Sequence, residues 1–320
     1  MSDYNMSHEK PRKPYISIII NTTGRNIVNI KRLLRSIKMQ DFGNYEVIIA
    51  TESNSNELIE LCKSLYMECT IIETGCWNRC WTGNLAIIKS RGKLVVLLED
   101  DVKLEPYWLS KMVKCINDDV DIGCTYSTVI NPLGSESIVA KTDKKIFRFA
   151  VKAVNTLRAH YHLARKNVNV FSLTVMCRKE ALLKASLFDM NVEEPIVAED
   201  YDLALRVQKA KYKVATCSEA KALHYTLHAY KRALLTLTKG PKWWGKLIEN
   251  DTYFFAKHYD ILKVAVFSHA LYNAFFSPVA LLLKLKRLSI TFLIKVFLYS
   301  VRGSFIGLLR GLMTNKPSRG

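Results

Sequence analysis

The run Tyr15-Ile-Ser-Ile-Ile-Ile20 is almost continuously apolar and β-branched, and it stops at the turn-prone Asn21-Thr-Thr-Gly24. A strand with so little polar alternation has to be covered on both faces, which few folds other than layered α/β architectures provide. Its sequel fits that demand. Ile27, Ile30, Leu33, Leu34 and Ile37 recur at helical spacing, with Arg25, Lys31, Arg32, Arg35 and Lys38 between them, so an amphipathic helix follows. The same unit recurs. Tyr45–Ala50 reads as a strand leading into a loop at Thr51–Asn56 and a helix through Leu65. Ile71 and Ile72 read as a short strand, Asn84–Lys89 as a helix and Leu94–Leu98 as a fourth strand. Strand and helix in alternation predict an α/β, Rossmann-like fold, a mostly parallel central sheet with helices on both faces. Ligands in such sheets sit beyond the carboxyl ends of the strands, which directs attention to the loops after Ile20, Ala50 and Leu98. Further along, Phe171–Met176 and Lys213–Ala215 read as strands, and Lys179–Ala185 and Asp202–Ala210 as helices.

With 320 residues, 49% of them hydrophobic, the chain can bury a large core. The boundaries follow the pattern: a polar stretch at 1–14, an α/β domain at 15–230 divided after Val102 into parts 15–102 and 103–230, and a basic, apolar helical region at 231–320. Residues 226–320 hold 15 Lys or Arg against 3 acids, so they carry +12 of the formal +18. That balance suits an anionic membrane surface, with nucleic acid as the competing partner. No aromatic stacking platform or reader motif supports nucleic acid, and none is expected as a partner. Val264–Leu283 is free of formal charge, but His269, Asn273 and Pro278 weaken it as a span. Leu288–Val301, interrupted by Lys295, is too short to cross. Interfacial, membrane-associated helices or helices buried on the α/β domain are the two readings. The basic stretch at Lys141, Lys144, Lys145, Arg148, Lys152, Arg158, Arg165 and Lys166 reads either as a solvated face or as a membrane-facing insertion. Met1–Pro14 lacks an apolar core, so the expected location is the cytoplasmic side of the membrane, peripheral or monotopic, with an integral arrangement also open. The eight cysteines lack paired Cys-x-x-Cys spacing and are expected to be reduced.

The strongest chemical signal is Leu97-Leu-Glu-Asp-Asp-Val102, three carboxylates directly after a buried strand. Adjacent acids repel and are costly near a core unless a cation compensates them, and Mg²⁺ or Mn²⁺ held by carboxylates and substrate phosphates is the usual solution. A solvated acidic turn before a helix is the alternative. A second cluster, Ala198-Glu-Asp-Tyr-Asp-Leu203, opens a helix: Asp200 beside other carboxylates suits a general base, while Glu199, Asp200 or Asp202 can equally serve as helix-start acids.

The order and spacing of these motifs resemble the family-2, inverting glycosyltransferases of the GT-A fold, from about Tyr15 to about His228. The resemblance implies sugar transfer from a nucleotide-diphosphate sugar to an acceptor glycan or lipid-linked sugar, dependent on Mn²⁺ or Mg²⁺. It places donor contacts at Asn21, Thr22, Thr23, Arg25, Glu52, Gly83, Asn84, Glu99 and Asp100. Metal ligation falls to Asp101, Glu99 and, after the last strand, His224. The catalytic pair is Asp200 with Glu199. Thr51-Glu52 stands where the family commonly has two Asp, and Glu99 replaces an Asp. Lys239-Gly-Pro-Lys-Trp243 has the spacing of the Gln-x-x-Arg-Trp motif of processive synthases with lysines at both polar positions. It makes Lys242 and Trp243 candidate diphosphate or acceptor contacts, or parts of a basic-aromatic helix facing a membrane. Two rivals remain: a membrane-bound nucleotide-sugar or nucleic-acid binder without catalysis, and a nucleotidyltransferase, which needs more than the single glycine of Asn21–Arg25.

Overall fold

The computed structural model describes residues 13–130, 132, 174–225, 239–258, 264–276 and 290–314. Strand β1 (Ile16–Thr22) lies buried at the centre of one half of an eight-stranded sheet. Parallel β2 (Tyr45–Thr51) and β3 (Cys69–Glu73) continue the sheet on one side of β1, and parallel β4 (Leu94–Glu99) adjoins its other side. This half is the parallel βα array that the apolar runs predict. Between its strands lie α1 (Ile27–Lys38), α2 (Ser55–Ser64) and α3 (Arg79–Lys89).

The other half is mixed. After β4 come the short β5 (Val102–Leu104), α4 (Trp108–Asn117) and β6 (Ile122–Ile130), three elements that the sequence pattern does not mark. Then follow β7 (Thr174–Arg178), α5 (Lys179–Lys184), α6 (Glu199–Lys209) and β8 (Lys213–His224). Antiparallel β7 joins β4 to β6, β8 runs parallel to β6, and β5 closes the edge antiparallel to β8, giving the order β3-β2-β1-β4-β7-β6-β8-β5. The last strand is far longer than the expected Lys213–Ala215, and His224 is its final residue rather than a loop residue beyond it. Its alternation of apolar and polar residues reflects one covered face, a weaker signal than the buried runs.

Two apolar layers sandwich the sheet. Ile18, Leu33, Val96, Trp108 and Met112 belong to one, and Ile19, Val95, Ile87, Leu203 and Val207 to the other. Four cysteines depart from the reduced state expected of them: Cys115 of α4 is bonded to Cys217 of β8, and Cys124 of β6 to Cys177 of β7. The bonded partners lie 102 and 53 residues apart in sequence. Sheet pairing brings the second pair together, since Cys124 stands opposite Cys177 in the β6–β7 register.

The C-terminal helices are α7 (Pro241–Ala256), α8 (Val264–Leu271), a π-helical turn at Tyr272–Phe276, and α9 (Ile290–Thr314). Helix α7 is built into the α/β domain: Tyr253 and Phe254 complete the second core layer, and Asn250 Nδ2 donates to the carbonyls of Glu193 (2.7 Å) and Pro195 (2.9 Å). Of the two readings of the tail, burial on the α/β domain describes α7. The expectation that Leu288–Val301 is too short to cross a membrane changes, because α9 runs on to Thr314. Its stretch Ile294–Thr314 is long and apolar enough to span by length and composition. The continuation is hidden in sequence by Arg302, Arg310 and three glycines, which are poor helix formers singly but pack here against a neighbour. Within Val264–Leu283, the described residues form α8 and the π turn. The basic stretch from Lys141 to Lys166 lies outside the described residues.

Candidate active site

The carboxyl ends of β1 and β4 and the start of α6 surround a cleft of about 710 Å³, a volume ordinary for a small-molecule site. Asn21, Thr22, Thr23, Glu99, Asp100, Asp101, Glu199, Asp200 and His224 line it, so the two acidic clusters read from the sequence share one space.

On the β1 side, the Thr22 hydroxyl donates to Asp100 Oδ2 and accepts from the Gly24 N–H at 3.0 Å. Gly24 has φ +78°, and a Cβ there would lie 2.3 Å from the Ser53 carbonyl oxygen. Only glycine fits this close turn. Burial raises the Asp100 pKa, the Thr22 hydrogen bond opposes that rise, and the neighbouring Asp101 and Glu99 add to it. Asp100 is thereby occupied with Thr22, leaving Glu99 and Asp101 to point elsewhere.

They point at His224. Strand register explains why: Val102, directly after the triplet, pairs with His224, and the Tyr225 N–H donates to the Asp101 carbonyl at 2.9 Å. His224 Nε2 lies 3.0 Å from Asp101 Oδ1 and 3.3 Å from Glu99 Oε2. Asp101 Oδ1 and His224 Nε2 are buried, and the protonated imidazole is charge-paired with both carboxylates. Asp101 first, then Glu99, pushes the imidazole up to about 9. One donor atom from each of the three residues lies within 4.8 Å of the others. Two hard carboxylates and an imidazole converging in one cleft suit a divalent cation such as Mn²⁺ or Mg²⁺, which would take the place of the imidazole's proton.

Arg79 joins this group to the second cluster. Its guanidinium lies 3.1 Å from Glu99 Oε1 and 2.8 Å from Glu199 Oε1, and the Glu199 side chain is only 4% exposed. Glu199 is therefore the buried partner of an ion pair, while Asp200 lines the cleft and accepts from its neighbour's N–H, Tyr201, at 2.8 Å. Sequence reasoning missed Arg79, Asn26 and Trp77, all of which line the cleft. A signal for Arg79 exists: it opens α3 directly after the N-cap Asn78, where a cation opposes the helix dipole unless carboxylates face it.

Four expected donor contacts stand elsewhere among the described residues. Asn84 donates to the Phe188 carbonyl at 2.9 Å and accepts from the Phe188 N–H at 2.8 Å, which consumes its amide in packing. Gly83 faces the Phe188 ring and the Asn21 side chain. Arg25 pairs with Glu52 at 2.9 Å on the rim, outside the cleft lining. Lys242 and Trp243 line a separate cleft.

Behind Asp200, the same helix carries Asp202, fully buried. Burial opposes its charge, but His258 Nε2 (2.8 Å), Arg206 (2.7 Å) and Lys257 (3.0 Å) hold its carboxyl well below the usual range. His258 and Lys257 follow α7, so the C-terminal region fixes the helix that presents Asp200.

Comparison with known proteins follows the same outline. The sequence model of the family described as "Glycosyl transferase family 2" matches residues 17–189, ending before Asp200. A mannosyltransferase, PcManGT from Pyrobaculum calidifontis, solved with GDP-Man and Mn²⁺, superposes with TM-score 0.58 at 15% identity, covering 93% of this chain and 88% of its own. S. aureus TarS 1–349 in complex with UDP-GlcNAc gives TM-score 0.56 at 13% identity, covering 94% and 89%. At these identities the likeness is one of fold. A curated relative, the uncharacterized protein y4gI of Sinorhizobium fredii (strain NBRC 101917 / NGR234), is 26% identical over 237 residues. That match takes in 66% of this chain and about a quarter, 24%, of the relative's length.

Proposed function

From this chain's membership of glycosyl transferase family 2, with the GT-A fold, we propose that it transfers a sugar from a nucleoside-diphosphate sugar to an acceptor hydroxyl with inversion, Asp200 acting as general base. One observation carries the reading: Glu99, Asp101 and His224 converge within 4.8 Å of one another, across a single cleft from Asp200. Nucleotide sugars bound in the solved relatives GDP-Man–PcManGT and UDP-GlcNAc–TarS support the donor class.

Glu99, Asp101 and His224 would hold the divalent cation, which when bound supplies positive charge to a donor diphosphate. The chain's own groups do the rest. Asp200 takes the proton of the acceptor hydroxyl as its oxygen bonds to the anomeric carbon, and the bond to the nucleoside diphosphate breaks on the opposite side. That displacement inverts the anomeric configuration. Arg79 pairs with Glu99 and Glu199, and Asp200 faces the acceptor from the start of α6. Thr22 and Asp100 fix the end of β1 against that of β4, and alignment of the two substrates supplies much of the acceleration.

Asp200→Asn tests the base. Transfer should fall by roughly 10²–10⁴, the range of general-base contributions, while binding of the nucleoside diphosphate with Mn²⁺, measured by calorimetry, stays within about twofold. A parallel loss of binding and turnover would make Asp200 a structural residue.

A further inference from the structure

A second cleft of about 500 Å³ adjoins the first, and the proposed transfer chemistry does not use it. Its walls come from the loop before α6 (Glu193, Glu194), the start of α7 (Lys242, Trp243) and the middle of α9 (Tyr299, Arg302). The two clefts share one partition. Glu193 and Glu194 face the second, and Ile196 to Asp200 face the first.

Four cations face three carboxylates in this second cleft, a formal balance of +1. Glu194 accepts from the Ile196 N–H at 3.0 Å, and Glu249 is held by Arg310 and by Lys246. Lys242 and Arg302 have no ion-pair partner among the described residues, and Lys239 lies 4.2 Å over the Trp243 ring. Helix α7 begins here after Gly240 without a side-chain cap, which leaves first-turn N–H groups of the same polarity. Cations, an aromatic face and helix-start N–H groups without a side-chain cap together recognise a phosphate attached to something apolar.

Helix α9 shows what that apolar part rests on. Gly303, Gly307 and Gly311 form one stripe pressed against α7, where added Cβ atoms would lie 2.3 Å from the Gly245 oxygen, 2.2 Å from the Glu249 oxygen and 2.4 Å from the Ala256 Cβ. Ile294, Leu298, Phe305, Leu309 and Met313 lie on roughly the opposite side of the helix and are exposed. Exposed Phe267, Leu271 and Phe275 extend the apolar surface, with Phe275 packed 5.9 Å from Phe297. Because α7 is rooted in the catalytic core, α9 lies along the domain with its apolar face outward, the arrangement of a helix resting in a bilayer surface.

We propose that the second cleft binds the phosphate of a membrane-embedded lipid phosphate that carries the acceptor sugar. Its hydrocarbon lies in the bilayer against the exposed face of α9, and a hydroxyl of the sugar it carries reaches Asp200 across Ile196–Ala198. This rests on the sugar-transfer reading and adds the acceptor class to it.

Sedimentation of the full chain with phosphatidylcholine vesicles carrying a polyprenyl monophosphate, or phosphatidylglycerol at equal surface charge, tests it. The lipid phosphate should be bound at least tenfold more tightly. Lys242→Gln/Arg302→Gln should lower that binding roughly thirtyfold, two headgroup contacts at about 1 kcal/mol each. Leu298→Ser/Phe305→Ser should lower it by a mechanism independent of charge, and thermal melts verify that both variants fold. Equal binding of the two vesicle types, or unchanged binding by both variants, overturns the proposal. Full displacement by millimolar inorganic phosphate also overturns it, assigning the cleft to a soluble phosphate. Mn²⁺-dependent donor hydrolysis by the wild-type chain, measured without vesicles, reports separately on the transfer reading.

Discussion

At the scale of single residues, the site depends on which carboxylates are already engaged. Asp100 is bound to Thr22 and Arg79 pairs with both Glu99 and Glu199, while Asp101 and His224 stand on one wall and Asp200 on the other. Arg79 is the residue to remove. Arg79→Met leaves the Glu199 carboxylate buried without its cation and should cost about 3 kcal/mol in urea unfolding, the low end for a broken buried pair because Arg79 is partly exposed. Adding Glu199→Gln should restore part of that loss; a double variant no more stable than Arg79→Met would mean that the pair does not carry the effect. The acidic triplet and the Glu199-Asp200 pair were legible from sequence because strong charge beside an apolar strand is conspicuous. Arg79 and the engagement of Asn84 were not, since each depends on a partner about a hundred residues or more away, Glu199 and Phe188.

At the scale of elements, α6 is fixed from behind by Asp202. A carboxyl held below its usual range in the folded state stabilises the fold above the unfolded value, about 3.9, and that contribution is lost as pH falls through the lower folded value. Asp202→Asn should therefore destabilise the protein by about 3–5 kcal/mol at pH 7, and the gap from wild type should narrow below about pH 4. A gap independent of pH would remove the ion-pair explanation. The α7–α9 contact makes a second prediction. Gly307→Ala forces a Cβ into the Glu249 carbonyl and should cost about 1–3 kcal/mol, read as a lowered Tm, whereas exposed Leu309→Ala should change stability by no more than about 0.5 kcal/mol. The helices and parallel strands of the first half follow from local periodicity. The antiparallel β7, the length of β8 and the glycine seam of α9 arise from long-range pairing, which local periodicity does not encode.

At the scale of the molecule, a parallel sheet places the β1 and β4 loops at one edge, and the mixed half swings β8 round so that His224 meets them. The C-terminal helices are continuous with this core through Tyr253, Phe254 and the Asp202 network, so the same body holds the acidic cleft, Asp200 and the apolar face of α9. The central claim, sugar transfer from a nucleotide donor, is tested most directly by presenting the purified chain with a panel of nucleotide sugars and measuring release of nucleoside diphosphate. One donor should respond with Mn²⁺ present, and chelation or Asp101→Asn should lower release at least about a hundredfold, the scale of losing a main charge-stabilising group. Release from no donor, or release indifferent to chelation and to Asp101→Asn, would contradict the account.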